Sequence, residues 1–255
     1  MTQVSSVDPE NVARFAAVAE SWWDPAGKFA PLHALNPARL TVIREACLAQ
    51  FAADPQVDPT SRAPFTGRRL LDVGCGGGLV CEPMRRLGFE VVGIDAAGES
   101  LGIARAHAAG AGLDIDYRQA TAEALLAAKE TPFDVVLALE VAEHVTDPAA
   151  FLADCARLLA PGGILIVATL NRTFRSLALA KVAAEYILRW IPAGAHDWRK
   201  FLKPDELIGL LTAAGLEPGE VTGLALDPLA GRWRASHDTA VNYMIAAAKV
   251  GATGP

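Results

Sequence analysis

Leu70-Leu71-Asp72-Val73-Gly74-Cys75-Gly76-Gly77-Gly78-Leu79-Val80 is the stretch on which the fold turns. An apolar run ends at Asp72-Val73, a glycine loop follows, and apolar residues resume at Leu79. This order predicts a buried strand, a tight turn and the start of a helix. Glycine permits the sharp turn and lets a ligand approach the backbone closely. A second apolar run closes with Gly93-Ile94-Asp95, which puts Asp95 21 residues beyond Gly74. That is the spacing at which a strand-end carboxylate meets a pair of ribose hydroxyls. The dinucleotide fingerprint G-x-G-x-x-G/A does not fit, because its last position falls on Leu79 or on Cys81.

Around this loop the chain alternates two patterns. Short apolar runs predict strands at Arg69–Val73, Glu90–Asp95, Asp114–Arg118, Phe133–Leu139 and Gly163–Thr169. The segments Leu79–Leu87, Glu99–Ala109 and Ala149–Leu159 predict helices. Alternation of this kind implies an α/β fold, a parallel sheet with helices on both faces. Phe133–Leu139, FDVVLAL, is apolar on both parities, as a central parallel strand should be. An amphipathic helix is expected over residues 12–22 and a second over Asn36–Gln50, with Pro37 in its first turn. Residues 53–66 carry Pro55, Pro59 and Pro64 and read as a surface linker. Pro204–Ala214 is expected to be helical, with two closing strands at Pro218–Leu226 and Asp238–Lys249. The chain thus divides into an N-terminal helical cap (1–52), the linker (53–66), a core (67–169), an insertion (170–203) and a C-terminal part of the sheet (204–250), all within one domain.

Composition excludes several classes. The chain has 255 residues, is 52% hydrophobic and 20% charged, and carries a net charge of −6. That is too apolar for a disordered chain, and the acidic balance gives no reason to expect nucleic acid as a partner. Cys47, Cys75, Cys81 and Cys155 form no C-x-x-C pair, so neither a disulfide framework nor a zinc knuckle is expected. The opening residues lack a basic start followed by an apolar run, and no stretch is apolar enough to span a bilayer. A cytoplasmic location is the simplest expectation.

The pattern that the loop does fit is D-x-G-x-G-x-G, with Asp72, Gly74, Gly76 and Gly78. It resembles the signature of S-adenosylmethionine (SAM) methyltransferases of the Rossmann-like class I. An acidic start suits SAM, which presents an ammonium and a sulfonium where a dinucleotide presents a pyrophosphate. The fourth strand runs into Glu140-Val141-Ala142-Glu143-His144. If the chain turns helical there, Glu140, Glu143 and His144 converge on one face, at the strand end where open α/β sheets bind ligands. The O,O,N donor set would suit Mg²⁺ or Mn²⁺. A metal-free substrate site and a structural role remain alternatives.

Further strings narrow the resemblance: Trp22-Trp23-Asp24, Asn36-Pro37-Ala38-Arg39-Leu40, Glu140 to His144, Thr169-Leu170-Asn171-Arg172, and His196-Asp197-Trp198-Arg199-Lys200-Phe201. In this order they are similar to the ubiquinone-biosynthesis O-methyltransferase family over roughly residues 12–249. The resemblance implies a seven-stranded, mostly parallel sheet with the last strand inserted antiparallel, an N-terminal helical lid, and a helical insertion after the fifth strand. It implies SAM contacts at Arg39, Gly74, Asp95 and Leu139, and a prenylated catechol or quinol as substrate. Arg39 would meet the methionine carboxylate. His144 and Glu140 would carry the chemistry, and Glu140, Glu143 and His144 would hold the cation. Leu139 departs from the methionine expected there. Association with other enzymes of quinone synthesis is a further implication. Another SAM-dependent methyl transfer, or a SAM-binding module without catalysis, remains an alternative.

Residues 170–203 carry seven Arg or Lys against Glu185 and Asp197, a local excess of positive charge in an acidic chain. Lys181, Glu185 and Arg189 fall on one helical face, beside a stripe of Leu177, Ala180, Ala184, Leu188 and Ile191. Two readings follow, a substrate lid packed on its own domain and a contact with an anionic membrane surface. Trp22 and Trp23 read as packing for the N-terminal lid, and His107 as a surface residue.

Overall fold

In the computed structural model, residues 19–178, 198–227 and 230–250 are described. Eight strands form one sheet: β1 (Arg69–Val73), β2 (Glu90–Asp95), β3 (Asp116–Gln119), β4 (Phe133–Leu139), β5 (Leu159–Leu170), β6 (Glu217–Asp227), β7 (Arg232–Ser236) and β8 (Asn242–Ala248). Their order across the sheet is β3-β2-β1-β4-β5-β8-β6-β7. The first five are parallel, and β8 enters antiparallel between β5 and β6. The strand order reverses at β1 and β4, whose C-terminal ends open the crevice where such sheets bind ligands.

Among the described residues, six helices of six residues or more flank the sheet: α1 (Ala30–Gln50), α2 (Cys81–Arg86), α3 (Gly98–Gly110), α4 (Ala122–Ala127), α5 (Pro148–Leu158) and α6 (Pro204–Ala213). Side chains alternate faces along a strand, and two cores follow from that parity. Leu71, Val73, Val136, Leu165 and Val167 pack with α4, α5 and α6. Leu70, Val135, Leu137, Ile164 and Ile166 pack with α1, α2 and α3. A third, small cluster of Ala19, Trp22, Phe29 and Leu79 stands apart from both.

The architecture is the class I methyltransferase fold, with three departures from the reading of the sequence. The sheet has eight strands rather than seven, because β7 pairs antiparallel with β6 at the sheet edge. The helix expected from Asn36 begins at Ala30, with Pro31 in its first turn and Pro37 inside it. Thr41 Oγ1 donates to Pro37 O at 3.0 Å. Segment 53–66 contains no helix or strand, yet its end enters the core: Phe65 is fully buried and stacks on Phe89 at 4.5 Å.

Of the helix expected over residues 12–22, only 19–22 are described, and Ala19–Ser21 form a single 3-10 turn. The centre of the basic insertion, with Lys181, Glu185, Arg189 and His196-Asp197, lies outside the described residues. Among the described residues, no helix is long and apolar enough to cross a membrane.

Candidate functional site

The glycine loop is fastened to the end of β2. The N–H groups of Gly74 and Cys75 both donate to Ile94 O, at 2.8 and 3.0 Å. Gly74 has φ +74°, and a Cβ there would fall 2.5 Å from Val141 Cγ2. Both its conformation and its neighbour therefore demand glycine. Asp95 is oriented by the loop itself: Gly76 N–H donates to Oδ2 and Ala97 N–H to Oδ1, each at 2.8 Å. Burial raises the Asp95 pKa, and these N–H groups oppose the rise.

Asp72 is buried at the loop's start, where the Cys81 thiol donates to its Oδ2 at 3.2 Å. Burial pushes its pKa up to about 7, against the Cys81 bond and the Arg39 charge. The Asp72 carboxyl is thus engaged inside the loop.

The second wall combines α1 with the end of β4. Arg39 on α1 is 5% exposed, and its Nη2 donates to Glu140 Oε1 at 3.0 Å. Among the described residues, its buried Nε has no hydrogen-bond partner. A buried guanidinium with an open donor beside a glycine loop fits a carboxylate-bearing ligand such as SAM.

Glu140 lies just past β4 with φ +58°, a left-handed conformation that costs a non-glycine residue roughly 1–2 kcal/mol. Its N–H donates to Ala168 O at 2.9 Å, which holds the strained residue against β5.

The expected helix after Glu140 does not form. Ala142–His144 is a turn, closed by His144 N–H donating to Val141 O at 2.8 Å. The left-handed Glu140 breaks the helical run, so the three side chains do not share one face. Glu143 turns inward, 2% exposed, and accepts from Thr169 Oγ1 at 2.8 Å. Its pKa is well above the carboxylate range, first through burial and then through the neighbouring Glu140 charge. Glu143 Oε1 is buried without a hydrogen-bond donor among the described residues.

Among the described residues, no group of three or more His, Cys, Asp or Glu side chains could hold a metal ion. The three-ligand set of Glu140, Glu143 and His144 is corrected accordingly. What remains is a carboxyl pair, Glu140 with Glu143, carrying one orphaned oxygen. Leu139, the last residue of β4, is 9% exposed beside that pair.

Two features escaped the sequence reading. Trp22 lies directly on the glycine loop, where a Cβ at Gly76 would come within 2.4 Å of its Cζ2. His107 is not a simple surface residue: its Nδ1 bonds the buried Glu82 Oε1 at 2.6 Å, and its ring stacks on Trp23 at 3.4 Å. Both contacts join residues far apart in sequence, Trp22 with Gly76 and His107 with Glu82, so no local spacing signals them.

The sheet order, the glycine loop and the Asp95 carboxylate at its mouth define a class, the SAM-dependent methyltransferases of the Rossmann-like type. A methyltransferase domain model matches residues 48–221. The chain is similar in fold to magnesium protoporphyrin IX methyltransferase from Synechocystis PCC 6803 with bound SAM. That likeness has a TM-score of 0.60 at 14% identity, over 97% of this chain and 100% of that one. It is 57% identical over 244 residues to the ubiquinone biosynthesis O-methyltransferase of Caulobacter sp. (strain K31), which covers 96% of this chain and 95% of that protein. A namesake from Parvibaculum lavamentivorans is 54% identical over 94% of this chain and 93% of its own length. The chain belongs to the ubiquinone biosynthesis O-methyltransferase family.

Proposed function

We propose that this protein transfers the methyl group of SAM to a phenolic oxygen of a prenylated catechol or quinol. The observation that carries the reading is the Arg39–Glu140 pair, which joins α1 to the acid pair at the end of β4. Kinship with the ubiquinone biosynthesis O-methyltransferases supports the substrate class.

SAM supplies an electrophilic methyl carbon, attacked by the phenolic oxygen in line with the departing sulfur. The protein has to orient that oxygen, remove its proton and keep water out. A phenol holds its proton up to a pKa of about 10, so a nearby acceptor is required. His144, in the turn after β4, is the candidate base. Arg39 and the loop, with Gly74, Gly76, Gly78 and Asp95, hold the cofactor, with Leu139 at the adenine and Asp72 supporting from within. Positioning in a closed pocket contributes the remainder.

Glu140 and the orphaned Oε1 of Glu143 would hold a Mg²⁺ only with the Glu143 proton displaced; magnesium takes few protein ligands and shares its substrate's oxygens. When bound there, the ion would lower the phenol pKa. Incubation with labelled SAM and a short-prenyl catechol tests the whole reading, and the expected product is the O-methyl ether. Exhaustive chelation should depress the rate and added Mg²⁺ should restore it. Full activity after chelation would remove the cation, and no transfer to the catechol would remove the substrate class.

The described ends of the basic insertion, residues 170–178 and 198–203, would meet a membrane surface that supplies the prenyl tail. Phe174 is 84% exposed and stacks on Trp198 at 6.2 Å, flanked by Arg175 and Lys200. A basic, aromatic surface suits the anionic interface, and the enzyme then works as a peripheral protein at the inner face of the membrane. Association with other quinone-synthesis enzymes belongs to the same proposal. The chain should float with anionic vesicles at low salt and stay behind at high salt; failure to float at low salt rules the surface out.

A further inference from the structure

Gly77 has no conformational reason to be glycine. Gly74, Gly76 and Gly78 adopt left-handed φ values, and Gly77 does not. It also occupies a free position of D-x-G-x-G-x-G. What demands glycine there is Trp22: a Cβ on Gly77 would lie 2.4 Å from Trp22 Cγ and 2.5 Å from Trp22 Cβ. One indole therefore spans Gly76 and Gly77, and Gly76 is the residue whose N–H fixes Asp95.

The segment around Trp22 is fastened across the loop. Trp22 Nε1 donates to Ser100 Oγ at 3.2 Å, in the first turn of α3. Trp23 Nε1 donates to Gly77 O at 2.9 Å, and Asn36 Nδ2 to Leu79 O at 2.9 Å. His33 Nε2 donates to Trp22 O at 2.8 Å, and Phe29 stacks on the Trp22 ring at 3.8 Å. The apolar cluster under this strap is separate from the two main cores. Segments with few shared core contacts open locally without global unfolding.

We propose that residues 22–29, held by His33 and Asn36 of α1, form a strap that closes the cofactor cleft, with Trp22 as the positioning residue that retains bound SAM and its product, S-adenosylhomocysteine. The strap opens for the product to leave. This rests on SAM binding at the glycine loop. Gly77 is the footprint of the closed strap on the loop.

The test is the dissociation rate of S-adenosylhomocysteine from the full chain, by stopped-flow displacement. Trp22→Ala should raise it roughly tenfold or more, since changes to one interface appear mainly in the off-rate. Gly77→Ala, which pushes the indole away, should raise it similarly. The double variant should be no faster than Trp22→Ala alone, because the two changes break one contact. An unchanged rate in Trp22→Ala, or additive effects in the double variant, overturns the strap. If Trp22→Ala does not fold, Gly77→Ala decides alone: an unchanged rate overturns the proposal. A wild-type chain that does not bind S-adenosylhomocysteine sinks the loop reading first, and the strap with it.

Discussion

Arg39→Ala is expected to lower kcat/KM for SAM on the order of 100-fold, most of it in KM. Two losses combine. The methionine carboxylate loses a charge-assisted, bidentate partner; bonds to charged groups contribute about 1.5–3 kcal/mol. The partly buried Glu140 also loses its ion-pair partner, and an unpaired charge in that position is costly. Arg39→Lys should recover only part of the loss, because an ammonium cannot reproduce the planar fork. Calorimetric titration with S-adenosylhomocysteine, alongside steady-state kinetics, separates binding from turnover. Unchanged cofactor affinity in Arg39→Ala would place the carboxylate elsewhere.

His144→Gln is expected to act on the other parameter. Removing a general base lowers turnover by about 10²- to 10⁴-fold, while the SAM KM should stay near the wild-type value. The variant should also lose the ascending limb of its pH–rate profile. Because His144 closes the turn through its backbone N–H, glutamine preserves that bond. Glu143→Gln offers a contrast: it keeps an acceptor for Thr169 and removes a buried acid whose ionisation is already suppressed. A His144→Gln enzyme with wild-type turnover would dismiss the base. The proton would then have to leave by another route.

The parts legible in the sequence were those fixed by local rules. β1, β2 and β4 have the bounds the sequence indicates, because a strand buried on both faces leaves an unbroken apolar run. The loop and Asp95 were legible because glycine and a strand-end acid stand at fixed offsets. β7 was missed because Arg232-Trp233-Arg234 reads as polar; it is an edge strand, buried only in part. The α4 helix is only six residues long, too short for periodicity to register, although Thr121 caps it.

The site was legible as a list of residues and not as an arrangement. Arg39 meets Glu140 across 101 positions, and Trp22 meets Ser100 across 78. No local pattern encodes such contacts. The acid cluster failed at a single torsion, the left-handed φ of Glu140, which helical spacing could not foresee.

The placement of β8 has a consequence for how the chain comes off the ribosome. Five parallel strands and both walls of the cofactor cleft are synthesised by residue 170, yet β5 then has no neighbour on its far side. Its partner is β8, made after β6 and β7, and β6 also waits for it. Tyr243, Met244, Ile245 and Ala247, which plug the middle of the sheet, follow β6 and β7 in the chain. Until they emerge, a long hydrophobic strand edge stands open to other nascent chains. Vectorial synthesis thus completes the cofactor half first and leaves closure of the sheet to the later arrival of β8.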